Sequence, residues 1–142
     1  MNWCCTGGGL GNSGGASIVP SDRKPVELVV PKLSIDAYLV DEGVQSIRLA
    51  KIDVEGSESD VIAGMKSLLA GANPPDILCE VNPWYLNMRG LDSTAITLPL
   101  ADQGYRLFPI DRSSRPEIDP LKIMTQLTNI FCTKSRHESW PV

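Results

Sequence analysis

Hydrophobic and polar positions along this chain follow two periods. Val26 to Val30, Arg48 to Val54, Asp76 to Val81, Tyr105 to Ile110 and Asn129 to Thr133 are short β-branched or aromatic runs. Gly, Pro, Asn or Ser flank most of them, which is the pattern of strands. Between the second and third runs, Val61, Ile62, Met65, Leu68 and Leu69 recur at helical spacing and predict one helix over Ser57 to Ala70. Ser57 with Asp60 resembles a capping box, and Gly71 stands where a C-terminal glycine belongs. Ser34 is placed to cap a short helix from Ile35 to about Val40, ended by Glu42-Gly43. Ser93 to Gln103 reads as a weaker helix whose regular part begins near Thr97, because Pro99 suits only a first turn. Leu121 to Leu127 reads as a short helix. Asp111 to Pro120 reads as a charged loop, and Lys134 to Val142 as a tail.

Two strands joined by a helix imply a βαβ unit with parallel pairing. The strand over Arg48 to Val54 puts Leu49, Lys51 and Asp53 on one face and Ala50, Ile52 and Val54 on the other. Its end carries the octet Lys51-Ile52-Asp53-Val54-Glu55-Gly56-Ser57-Glu58. Parallel pairing brings Glu80 and Asn82, at the end of the next strand, to the same edge as Asp53 and Glu55. Ligands of open α/β sheets bind at that edge, so the carboxylates are a candidate site. Glu58 and Asp60 suit the helix N-terminus, where negative charge is favourable. A lysine on a mostly buried strand needs a carboxylate or a route to water, and Asp53 or Glu80 would make Lys51 an ion pair rather than a catalyst. Pro83-Trp84-Tyr85 would wall a pocket or cap the core.

Composition narrows the functional classes. The 142 residues suffice for one domain with a core, and 42% hydrophobic and 21% charged residues are ordinary for a globular protein. The net charge of −4 comes without a Lys/Arg cluster, which argues against a nucleic-acid backbone as partner. No apolar run approaches a membrane span, and the first residues lack the pattern of a signal peptide. Cys4, Cys5, Cys79 and Cys132 fit no zinc spacing and read as reduced thiols of a cytoplasmic protein. His137 lies in the polar tail. Gly9-Leu10-Gly11-Asn12-Ser13-Gly14 spells a dinucleotide-loop motif, but it lacks the strand before and the helix after that such a loop needs.

The octet Lys-Ile-Asp-Val-Glu-Gly-x-Glu resembles the signature of the FkbM-type, S-adenosylmethionine-dependent methyltransferases. Ser34 to Leu39 before it, Asp76 to Val81 after it, and Gly104-Tyr105-Arg106-Leu107-Phe108 later are similar to the family's next pieces in order, from about Asn12 to about Thr133. The resemblance implies a Rossmann-like class I α/β fold, here the C-terminal half of the sheet, mostly parallel with an antiparallel final strand. It also implies methyl transfer from S-adenosylmethionine, usually to the hydroxyl of a small molecule or glycan. Asp53, Glu55 and Glu80 are then the expected catalytic residues, and Asp53, Glu55 and Gly56 the donor contacts. Glu58, Asn82, Trp84 and Tyr85 are the expected acceptor contacts. A variant with Mg²⁺ on Asp53, Glu80 and Asn82 is similar to catechol-type O-methyltransferases.

The family's glycine-rich turn after its first strand, and the acidic residue ending its second, have no counterpart here. The expected organisation is a flexible segment over 1–25, a partial methyltransferase domain over 26–134 and a tail over 135–142. An open edge on the Arg48–Val54 strand is expected with it, inviting self-association. A truncated product, a fragment of a longer protein, half of an assembly, and an N-terminal segment folded back over that edge are the readings this leaves open. Two further functional readings stand beside the methyltransferase: a non-catalytic remnant of the fold used for interaction, and a magnesium-dependent enzyme using the acidic cluster.

Overall fold

The computed structural model describes residues 3–5, 26–28, 31–110 and 116–135. The glycine-rich motif, Val29-Val30, residues 111–115 of the Asp111–Pro120 loop, His137 and Trp140 lie outside them. The elements run β1 (Trp3–Cys5), β2 (Val26–Leu28), α1 (Ile35–Asp41), β3 (Leu49–Ile52), α2 (Glu58–Ala63), α3 (Lys66–Ala70), β4 (Asp76–Val81), α4 (Pro83–Met88), α5 (Thr94–Asp102), β5 (Arg106–Pro109) and β6 (Thr128–Thr133). β1 and β2 form an antiparallel pair of their own. The remaining strands make one sheet in the order β3-β4-β6-β5.

β3 and β4 are parallel, with Ile52 opposite Cys79, as the βαβ pattern requires. The expectation of a mostly parallel sheet is corrected. β6 runs antiparallel as expected, but it inserts between β4 and β5, so both of its pairings are antiparallel. One parallel pairing therefore stands against two antiparallel ones.

One face of the sheet is the core face. Ile52, Ile77, Cys79, Val81, Leu107, Ile130 and Cys132 point there and meet Ile62, Met65, Leu69, Leu86, Ile96 and Leu100 from the helices. Burying these side chains removes about 1.5–3 kcal/mol worth of apolar surface from water for each large one. The other face of β3 is open: Leu49 is 54% exposed, and Lys51 is exposed as well. This corrects the reading of that strand as mostly buried. β4 keeps the alternation too, with Ile77, Cys79 and Val81 buried and Asp76, Leu78 and Glu80 half-buried.

Local signals and tertiary packing compete in the helices. Ser34 caps α1, its Oγ accepting from Ala37 N at 3.1 Å. The single helix expected over Ser57–Ala70 is two, broken at Gly64-Met65. Asp36 of α1 explains the second start. Its carboxylate accepts from Ser67 N at 2.8 Å and Leu68 N at 3.0 Å, capping α3 from another element. α5 begins at Thr94 and holds Pro99 in its interior, not in its first turn. Burial of Ile96, Thr97 and Leu100 outweighs the lost backbone donor there. The helix expected over Leu121–Leu127 does not form. Met124 N donates to Ser93 Oγ at 2.8 Å, Pro120 O accepts from Thr97 Oγ1, and Asp119 makes a turn through Leu121 N. Among the described residues no helix is long and apolar enough to cross a membrane.

Candidate functional site

The site begins where β3 ends. Asp53 and Val54 lead into a turn at Glu55-Gly56, and both turn residues have positive φ, 52° and 96°. Glycine tolerates that region freely, whereas for Glu55 it is uncommon and has to be held in place by surrounding structure. Three contacts hold it. Glu58, 1% exposed, turns its carboxylate back under the loop, and Oε1 accepts from Val54 N and Gly56 N, both at 3.1 Å. Arg89, from the C-terminal end of α4, donates from Nη1 to Gly56 O and from Nη2 to Asp60 at 3.0 Å. Tyr85 packs on Gly56 so closely that a Cβ there would stand 2.7 Å from the Tyr85 Cβ.

The parallel register carries Glu80 to the same rim. Ile52 lies opposite Cys79, so Asp53 and Glu80 follow as the next neighbours. Burial pushes the Glu80 carboxyl above the ordinary glutamate range, and the nearby charges of Asp53, Glu55 and Glu58 push it further, partly offset by Lys51. Lys51 pairs with Asp53 at 2.6 Å, which raises its own pKa and makes it an ion pair, as the sequence implied. Tyr85 bonds the Glu55 carboxylate; burial first, then that bond, raises its phenol. Trp84 stands edge-on to Tyr85, ring centres 4.7 Å apart, and is 61% exposed. Cys79 and Cys132 are buried free thiols, and burial pushes both upward, Cys132 to about 12.

A cavity of about 370 Å³ adjoins the turn on the side of α1 and α2. Leu33, Ile35, Val54 and Val61 make it apolar, with Ser57 and Asp60 at its wall. Ser57 Oγ and Glu58 Oε2 are buried polar atoms without a hydrogen-bond partner.

A family model for the methyltransferase FkbM domain matches residues 5–107, more than half of the chain. The chain belongs to the FkbM methyltransferase domain family. No curated protein and no solved structure matches it. The match contains the whole octet, Glu80 and the α4 aromatics.

Within this FkbM domain, the expected site residues divide. Asp53, Glu55, Gly56, Glu80 and Tyr85 share one rim, with Trp84 beside them. Glu58, expected at the acceptor, is instead buried under the turn. Asn82 caps α4, its Oδ1 accepting from Trp84 N at 3.1 Å. Among the described residues no group of three or more His, Cys, Asp or Glu side chains could hold a metal ion. With Asn82 engaged in its cap, the Mg²⁺ variant draws no support from Asp53 and Glu80. Sequence reading missed Arg89 and the helix that carries it. Asn82-Pro83, a capping residue followed by a first-turn proline, was the available signal for α4.

Proposed function

We propose that this domain transfers a methyl group from S-adenosylmethionine to a hydroxyl of a small molecule or glycan, with Asp53, Glu55 and Glu80 as the working carboxylates. The observation that carries the reading is the rigid turn at Glu55-Gly56, held at the end of a parallel strand pair beside a carboxyl of raised proton affinity. The donor supplies an electrophilic methyl on a sulfonium cation. Asp53 and Glu55 place negative charge where a cation is to be attracted. Glu80 would take the proton of the acceptor hydroxyl, and a bound donor would supply the methyl group and keep the electron pair of the bond it loses. Glu80 suits this role because burial, and then its acidic neighbours, raise its pKa. Holding the two reactants in contact by a fixed turn is worth up to about 7–11 kcal/mol of barrier.

The residues present fit part of the donor. The apolar cavity beside the turn suits a flat adenosyl group, and the unpartnered Ser57 hydroxyl at its wall offers a polar contact. The exposed Trp84 ring offers an apolar face against which a sugar ring or other flat acceptor stacks.

Calorimetry tests the reading on the protein itself. S-adenosylmethionine should bind, and its neutral product S-adenosylhomocysteine should bind more weakly. Asp53→Asn should narrow the difference between the two. If neither this chain nor a version extended upstream bound the donor, the non-catalytic reading would stand instead.

A further inference from the structure

We infer, on the methyl-transfer reading above, that Asn129 at the start of β6 is a further acceptor-binding residue, holding the acceptor hydroxyl beside Glu80. Asn129 lies beyond the residues that the family model matches. The register of the sheet brings it to the site. β6 runs antiparallel to β4, and Asn129 stands directly opposite Glu80. Ile110 N donates to Asn129 O at 3.0 Å, so the backbone groups of Asn129 turn toward β5. Asp76 N donates to Arg48 O, so those of Asp76, Leu78 and Glu80 turn toward β3. Glu80 and Asn129 are therefore a non-hydrogen-bonded pair, the kind whose Cα atoms lie about 4.5 Å apart and whose side chains are closest. Both side chains leave the sheet on the face opposite Cys79 and Ile130, which belong to the core.

The other polar side chains of the rim are engaged. Lys51 pairs with Asp53, Tyr85 bonds Glu55, and Asn82 caps α4. The half-buried Asn129 makes no side-chain hydrogen bond to another described residue. An amide beside a carboxylate matches a hydroxyl. Ionised Glu80 only accepts, so it takes the O–H, while Asn129 Nδ2 only donates, so it fills one lone pair of the oxygen. The proton then goes to Glu80, and the second lone pair stays free for the methyl carbon. A neutral amine has a single lone pair and cannot both accept from Asn129 and react. The Glu80–Asn129 pair thus selects an oxygen nucleophile and fixes its orientation.

The test is nuclear magnetic resonance on the full chain, with methyl α-D-glucopyranoside as the hydroxyl probe. In the wild type, titration should shift the Asn129 side-chain amide and the Glu80 carboxyl together, with one dissociation constant. Asn129→Asp keeps the shape and the accepting oxygens but loses the donor. It should raise that constant about fivefold to tenfold, as should Asn129→Leu, which is the loss of one hydrogen bond. A residue that only shaped the strand would leave Asn129→Asp at the wild-type constant. Urea midpoints verify that both variants fold, and the wild-type titration decides by itself if they do not. A probe that shifts Glu80 without Asn129 overturns the inference. So does a constant unchanged in Asn129→Asp, or no response at either residue. Failure of the methyl-transfer reading looks different: S-adenosylmethionine does not bind, while the joint response of Asn129 and Glu80 to the probe persists and the hydroxyl site stands.

Discussion

A single residue, Glu58, illustrates how far the site depends on buried backbone contacts. Two amides of the turn donate to its Oε1, Gly56 N in a buried bond and Val54 N in a partly buried one. Glu58→Ala leaves both without a partner and should destabilise the fold by about 2–4 kcal/mol, read as a lowered midpoint in urea. Gly56→Ala acts on the same turn through sterics. It forces a side chain into positive φ and against Tyr85, and should cost about 1–3 kcal/mol along with most donor affinity. Glu80 sets a pH dependence. Its folded pKa lies above its unfolded value, chiefly through burial and then through its acidic neighbours. The stability it contributes is full below the unfolded pKa and is lost as pH rises through the folded one. Glu80→Gln should therefore be more stable than the wild type at neutral pH, with the gap closing in acid. In activity, the same substitution should lower the rate about 10²–10⁴-fold. The octet was legible as a site at this scale because carboxylate spacing needs no partner to be noticed. The role of Glu58 was not, since burial of a charged residue follows only from the way the turn folds back.

At the scale of elements, α1 and α4 act on others rather than on themselves. Asp36 caps α3 across the boundary between helices, and its pKa is lowered: burial raises it, but the amides of Ser67 and Leu68 outweigh that. Its contribution to stability is present above the ordinary carboxylate pKa and lost as pH falls through the lowered folded value. Asp36→Ala should cost about 1 kcal/mol at neutral pH, and Asp36→Asn less, by thermal unfolding. α4 carries Arg89 to the turn and to α2. Arg89→Ala removes both contacts and should cost about 1–2 kcal/mol, with a larger effect on donor binding than on folding. Strands β2 to β6, the helices around Ile35–Val40 and Val61–Leu69, and most element ends were readable from period and caps. The break at Gly64-Met65 was not, because the cap that restarts the helix lies 31 and 32 residues away in sequence.

At the scale of the whole molecule, the sheet has one face closed by helices and an open outer face on β3. Its order, β3-β4-β6-β5, places the family's acidic octet on an edge strand. Such a strand leaves its outer backbone groups without a ladder partner. A ligand bound across the Asp53–Glu80 rim would engage two strands and raise the unfolding midpoint with the logarithm of its free concentration above the dissociation constant. S-adenosylmethionine should therefore shift the thermal transition upward in the wild type and less in Glu80→Gln.

Amino-acid order alone was enough for β2 to β6, though not for β1 inside the segment read as flexible, and for the parallel β3–β4 pair, the caps at Ser34 and Gly71, and the convergence of Asp53, Glu55 and Glu80. Each rests on periodicity, on a neighbour a few residues away, or on the one connection that a βαβ unit allows. Folding in three dimensions decided the insertion of β6 between β4 and β5, the loss of the helix after Pro120, the burial of Glu58 and the reach of Arg89 to Gly56. These depend on hydrogen-bond partners about thirty residues distant or on which strand fills a gap in the sheet. Neither leaves a trace in local hydrophobic pattern, because the energy that selects them arises only when remote segments meet.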